Sequence, residues 1–197
     1  MKKEVRGRNY FSKYGLIIDI LVALLKIFPM RCRIALFESN RNVRGLKGIG
    51  IRYVLLKSIT HECGKNVAIF PGAYILHPQN ISFGDNISIH PMCYIDGGPF
   101  DGIKIIIGND VSIAHGVTIM TTTHNYSDTT IPIRDQGYQA KTVQIKNNVW
   151  IGAKATILYG VTIESGCVIG ANAVVTKDTQ MNKVYAGVPS KPIKDRG

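Results

Sequence analysis

At 197 residues the chain is long enough for one buried core and a modest appendage. It carries 24 Lys and Arg against 13 Asp and Glu. Residues 1–65 hold 14 of the bases and 4 of the acids, so +10 of the net +11 lies in the first third, where any anionic partner is expected to meet the protein. Cys32, Cys63, Cys93 and Cys167 stand far apart with no CxxC pair. That argues against a disulfide framework or a zinc knuckle, and with no secretory signal the expected compartment is the reducing cytoplasm.

The first element in chain order is LIIDILVALLKIFP, following MKKEVRGRNYFSKYG. Its apolar stretch is interrupted by Asp19 and is shorter than the roughly 18 to 20 residues that span a bilayer, so it is expected not to cross one. Lys2, Lys3, Arg6, Arg8, Lys13, Lys26, Arg31 and Arg33 surround it. Two uses of residues 1–60 stay open: an interfacial helix on an anionic membrane leaflet, or a cap, with a second helix at 52–59, packed on the rest of the protein. Nucleic acid is not an expected partner, because no base-stacking aromatic pattern accompanies the charges.

A six-residue rhythm follows. From Ile145 the chain reads IKNNVW, IGAKAT, ILYGVT, IESGCV, IGANAV, VTKD; upstream lie IGNDVS, IAHGVT, IMTTTH from Ile107, FGDNIS, IHPMCY from Phe83, and a weaker IFPGAY from Ile69. An amphipathic helix needs apolar spacings of three, four and seven, so sixes exclude it, and the β-branched content points to short strands between turns. Asn, Asp and Gly gather at the third and fourth positions, where tight corners would fall. An antiparallel meander would need a period of two and loops of variable length. Sixes that run for dozens of residues at a time within 67–178 instead predict a solenoid. Cys93 and Cys167 occupy the fifth, inward position and are expected as core filler.

The rhythm breaks twice. After His124 it resumes only at Ile145, and the segment 125–142, with Asp128, Pro132, Arg134, Asp135 and Gly137, is expected to be an extruded loop. After Asp96, in YIDGG, the insertion GGPFDG precedes Ile105. Two insertions on one side would build two walls of a cleft. Asp96 is otherwise a turn residue bonded to its own backbone. Trp150 takes the outward sixth position, His90 begins a corner, His115 sits at one, and His61 and His77 lie outside the best repeats.

These units resemble the hexapeptide repeat of acyltransferases built on a left-handed parallel β-helix. TTTHNYSD, with VWIGAKATILYGVTI and AGVPSKPI, is similar to the sugar O-acetyltransferases of that class, which include galactoside and maltose acetyltransferases and those of capsule and lipopolysaccharide gene clusters. The resemblance implies a mainly β fold: a left-handed parallel β-helix over 66–197, some five coils of three hexads each, behind an α-helical segment at 1–65. It further implies a homotrimer with sites between subunits, acetyl-CoA as donor, a saccharide acceptor, no metal, and a role in surface polysaccharide biosynthesis. His124 matches the general base of direct transfer, a task suited to an imidazole of ordinary pKa about 6.5. Asp96 matches an acidic residue that contacts the acceptor or orients His124, and His90 could reach the cleft. Trp150 would stand near the thioester, with Ala153, Ala171, Thr176, Lys177 and Lys191 along coenzyme A. Gly187 and Pro189 would shape the final turn. Amino-sugar N-acetylation and a non-catalytic scaffold remain as alternatives. A gamma-type carbonic anhydrase needs two histidines five residues apart, whereas His115 and His124 are nine apart, and the GDRHPKI-like stretch of serine acetyltransferases is missing.

Overall fold

The computed structural model describes residues 14–102 and 104–197. Its strands are two to five residues long, and they stack into three faces. The first face takes Glu62–Cys63, Ile81–Phe83, Ile105–Ile107, Val143–Ile145 and Thr162–Ile163. Val67–Ile69, Ile87–Ile89, Ser112–Ile113, Trp150–Ile151, Val168–Ile169 and Lys183–Ala186 form the second. Tyr74–Leu76, Tyr94–Asp96, Thr118–Met120, Thr156–Ile157 and Val174–Val175 form the third. Neighbours on every face are parallel, in registers such as Tyr74↔Tyr94↔Thr118↔Thr156. The chain is therefore a β-solenoid of five complete coils, as the sixes predict.

Each unit buries two side chains. The first position points inward (Ile113, Ile119, Ile151, Ile157, Ile163, Ile169), and so does the small fifth one (Cys93, Val111, Val117, Ala155, Cys167, Ala173). Between them the chain turns through a left-handed residue at the fourth position: Asn86 at φ 59°, Asp110 and Asn148 at 57°, Asn172 at 58°. Asn and Asp enter that region at lower cost than branched or bulky residues, which is why they punctuate the repeat. On the edge between the first and second faces the second position is glycine in the first three coils, at Gly64, Gly84 and Gly108, for a steric reason. A Cβ on Gly84 would lie 2.4 Å from Asn109 Oδ1, and one on Gly108 2.5 Å from Asn147 Oδ1. Those two oxygens accept the backbone N–H groups of Asp85 and Asn109 in the coil before, at 2.7 and 2.8 Å.

Among the described residues three helices precede the coils: α1 (Gly15–Leu25), α2 (Met30–Ser39) and α3 (Gly45–Ile59). The helix expected at 52–59 thus begins about two turns earlier, at Gly45, and α2, whose pattern carries little apolar periodicity, was not expected from the sequence. Leu55, Leu56 and Ile59 of α3 are buried over the first coil, and α1 and α2 pack on α3. Arg52 is wholly buried and donates from Nε to Ile69 O (2.9 Å) and from Nη1 to Val43 O (2.7 Å) and Asn40 O (3.1 Å). Arg33 donates to Phe28 O and Ser58 O, so neither arginine is a free surface charge. At the other end Lys191–Asp195 returns antiparallel on Lys183–Ala186, and Arg196 donates to Gly166 O at 2.9 Å. Among the described residues no helix is long and apolar enough to cross a membrane.

Candidate active site

Both interruptions fall on the edge between the third and first faces. In the third coil, Thr122–His124 leaves the stack and pairs antiparallel with Tyr138–Ala140, register His124↔Tyr138. The expected loop is therefore an arm with its own short ladder, continued by Asn125 N–H to Gly137 O at 3.0 Å. Gln136 ties the tip: Nε2 donates to Asp128 O (2.6 Å) and Ile131 O (3.1 Å), and Oε1 accepts the Asp128 N–H. The Asp128 carboxylate accepts the hydroxyl and N–H of Thr130, which lower its pKa. His124 is exposed, and its ring packs on Tyr138 with centroids 4.3 Å apart. Among the described residues no hydrogen bond orients that ring. Tyr126, Ile131, Ile133 and Tyr138 leave the arm with an exposed apolar surface.

The second interruption lies directly beside it. Asp96 Oδ1 accepts the N–H of Gly98 at 2.9 Å, which is the turn role open to it from sequence, and also faces His77 Nδ1 at 2.7 Å. No hydrogen bond joins Asp96 to His124. Asn80 Nδ2 donates to Gly98 O (2.7 Å), and Thr121 Oγ1 donates to Asp96 O (3.2 Å). Gly98, at φ 72°, lies so close to the arm's root that a Cβ there would sit 2.5 Å from Thr121 Oγ1. One wall thus runs across three coils from His77 through Asp96 and Gly98 to the strand that carries His124. His77 was not singled out by its sequence. Its signal was the twenty-residue match of YILHP to YIDGG, which puts His77 one coil before the insertion.

The other expected residues divide between edges. Thr176 and Lys177 are exposed on this same third–first edge, in the fifth coil, and Lys191 is exposed on the final hairpin. His90, Ala153 and Ala171 lie on the edge between the second and third faces. The His90 ring stacks on Phe70 at 4.8 Å and 14°, and burial, helped by the neighbouring His115, lowers its pKa. Trp150 projects from the second face, 55% exposed, over a shallow depression of about 300 Å³ lined also by Ser112, Val168 and Arg196. One chain therefore does not gather the set. Cys93 and Cys167 are buried, with Sγ donating to Ala114 O (3.1 Å) and Gln180 O (3.0 Å), and serve as filler. Among the described residues no three His, Cys, Asp or Glu side chains are grouped to hold a metal.

Comparison with known proteins gives the same architecture a family. The model of the bacterial transferase hexapeptide (six repeats) matches residues 142–177. The chain is 35% identical over 145 residues to the galactoside O-acetyltransferase of Escherichia coli (strain K12), covering 73% of this chain and 68% of that one. It is 30% identical over 198 residues to the putative lipopolysaccharide biosynthesis O-acetyl transferase WbbJ of the same organism, covering 93% and 91%. A solved galactoside acetyltransferase in complex with coenzyme A aligns with a TM-score of 0.73 at 32% identity, over 84% of this chain and 79% of that one. With its stacked hexads and these relatives, the chain belongs to the hexapeptide-repeat acetyltransferases.

Proposed function

We propose that the protein transfers an acetyl group from acetyl-CoA to a hydroxyl of a saccharide, with His124 as general base. The observation that carries this reading is the exposed imidazole at the root of an arm, standing where the stack breaks and beside a polar wall. A sugar hydroxyl is a weak nucleophile. As its oxygen bonds to the thioester carbonyl carbon, the His124 imidazole takes the hydroxyl proton. The C–S bond then breaks, and the proton passes to the departing thiolate. No acyl-enzyme is needed.

The donor suits the second–third edge, where the side chains of Ala153 and Ala171 are small, with Trp150 exposed on the adjoining second face. Thr176, Lys177 and Lys191 are exposed and suited to the phosphate end of the donor. Because Trp150, Ala153 and Ala171 lie off the edge that carries His124, the site is completed by a second copy, with one edge from each neighbour, in a homotrimer. The length of the match to WbbJ supports an acceptor belonging to surface polysaccharide biosynthesis. Thiol release from acetyl-CoA, measured against galactosides, maltose, nucleotide sugars and amino sugars, tests the reading. Turnover with a sugar that has hydroxyls and no amine supports it; turnover confined to amino sugars would make the enzyme an N-acetyltransferase, and release with none of them would contradict sugar transfer.

The N-terminal helices fit an anionic lipid surface. Helix α1 buries Ile18 and Val22 and leaves Leu16, Ile17, Ile20, Leu21 and Leu24 between 43 and 77% exposed. Lys26 and Arg31 border that face, which Ile27 and Phe28 extend. Lys2, Lys3, Arg6, Arg8 and Lys13 lie outside the described residues. A helix apolar beyond its packed face requires a further apolar neighbour, and the surrounding positive charge favours an anionic leaflet. The full chain should float with phosphatidylglycerol-containing vesicles and not with phosphatidylcholine alone; no flotation at low salt, or equal flotation with both, would contradict this placement.

A further inference from the structure

We infer that His77, held by Asp96, is a second acceptor contact, binding a hydroxyl of the saccharide other than the one acetylated. The inference rests on the reading that the acceptor lies beside His124, and it assigns the other end of that ligand.

Four observations carry it. The His77 and Asp96 side chains are 2.7 Å apart at Nδ1 and Oδ1, and the same oxygen accepts the Gly98 N–H, so the carboxylate is held from two sides. An ionised carboxylate only accepts, so Nδ1 carries the proton; in the neutral ring, Nε2 is left with its lone pair. Nε2 has no partner among the described residues, and the His77 side chain is 36% exposed against 20% for Asp96, so the imidazole and not the carboxylate is the better presented group. His77 adopts φ 47°, ψ 51°, a left-handed corner like others of the solenoid, which turns its side chain toward Asp96 of the next coil. The corner is fixed by its neighbours. These are the Asn80 bond to Gly98 O, a close approach of Gly97 that would put a Cβ 2.8 Å from His77 O, and the pair itself.

Position selects the ligand. His77 follows the third-face strand of the first coil, Asp96 ends that of the second, and His124 lies just past that of the third. Two strand spacings separate the first coil from the third, about 10 Å along the stack. That axial offset is on the scale of a single sugar ring with its hydroxyls. An acceptor-only nitrogen suits a hydroxyl donor and has nothing to offer an anionic or carbonyl group in its neutral state. Asp96 acts through His77 and is a positioning residue.

The test uses the full chain and the sugar giving the fastest acetyl-CoA-dependent thiol release among methyl galactosides, methyl glucosides, maltose and UDP-N-acetylglucosamine. His77→Asn is the informative variant, because asparagine tolerates the left-handed backbone and the fold is preserved. The acceptor KM should rise about tenfold, as expected for a lost polar contact, with kcat and the acetyl-CoA KM changed less than about threefold. Asp96→Asn should move the acceptor KM the same way, and the double variant should be no worse than His77→Asn, since the two act as a unit. An acceptor KM within twofold of wild type with a lowered melting temperature would make the pair a structural clasp only. A hundredfold loss of kcat at saturating sugar would put His77 in the chemistry and overturn the inference. Failure of the underlying reading is separately visible, because it would appear as full turnover by His124→Ala.

Discussion

Two edges of the same prism treat their polar side chains in opposite ways. On the first–second edge the repeat is unbroken, and polar groups answer one another from coil to coil: Asn66 donates to Asn86, Asn86 to Asp110, and the Asn109 and Asn147 side chains cap backbone N–H groups of the coil before. On the third–first edge the repeat is interrupted twice, and His77, Asp96 and His124 stand on or beside the inserted segments. A kept rhythm satisfies polar groups internally. A broken one presents them outward, which is where substrate chemistry needs them.

The largest expected effect breaks this contrast at its functional end. His124→Ala should lower turnover by about 10² to 10⁴, the range for a missing positioned base, with the melting temperature nearly unchanged because the ring is exposed and packs on Tyr138 of its own arm. The converse should hold on the regular edge. Gly108→Ala would place a Cβ 2.5 Å from Asn147 Oδ1 and 3.0 Å from backbone carbon of Lys146, so denaturant unfolding should show a loss of about 1 to 3 kcal/mol while the folded fraction keeps its turnover. A fall in turnover per folded molecule would mean the regular edge is not merely structural.

The smallest effect concerns the remaining edge. Burial first, and His115 second, lower the pKa of His90, so the folded state favours the neutral ring. As pH drops below the ordinary value of about 6.5 the unfolded chain takes up a proton before the folded one, and stability falls until the lowered folded value is passed. Melting temperatures recorded from pH 7.5 to 5 should decline less steeply in His90→Gln than in wild type. Equal slopes would show that His90 titrates alike in both states.

The coils were legible because six-residue spacing is a rigid consequence of two inward side chains and one left-handed corner per turn, so Ile113, Ala155 or Asn148 could be placed from sequence alone. The helices were less so. Helix α2, MRCRIALFES, buries only Phe37 and shows little periodicity, and Arg52 reads as a surface charge although it is enclosed by carbonyl groups of three segments. In the candidate site the breaks marked His124 and Asp96, since an interruption is visible against a regular background. His77 was hidden because its coil is the most degenerate, and its partner lies nineteen residues away, a pairing only the stack creates.

The claim that two copies share one site can be tested directly by complementation. Co-expressing His124→Ala with a Trp150→Ala, Ala171→Trp double variant, each inactive alone, forms mixed assemblies in which some interfaces pair an intact third–first edge with an intact second–third edge. Random assortment predicts about a quarter of wild-type activity, because each site draws one edge from each neighbour. Activity no higher than that of the two parents would place the whole site within a single chain and contradict the account.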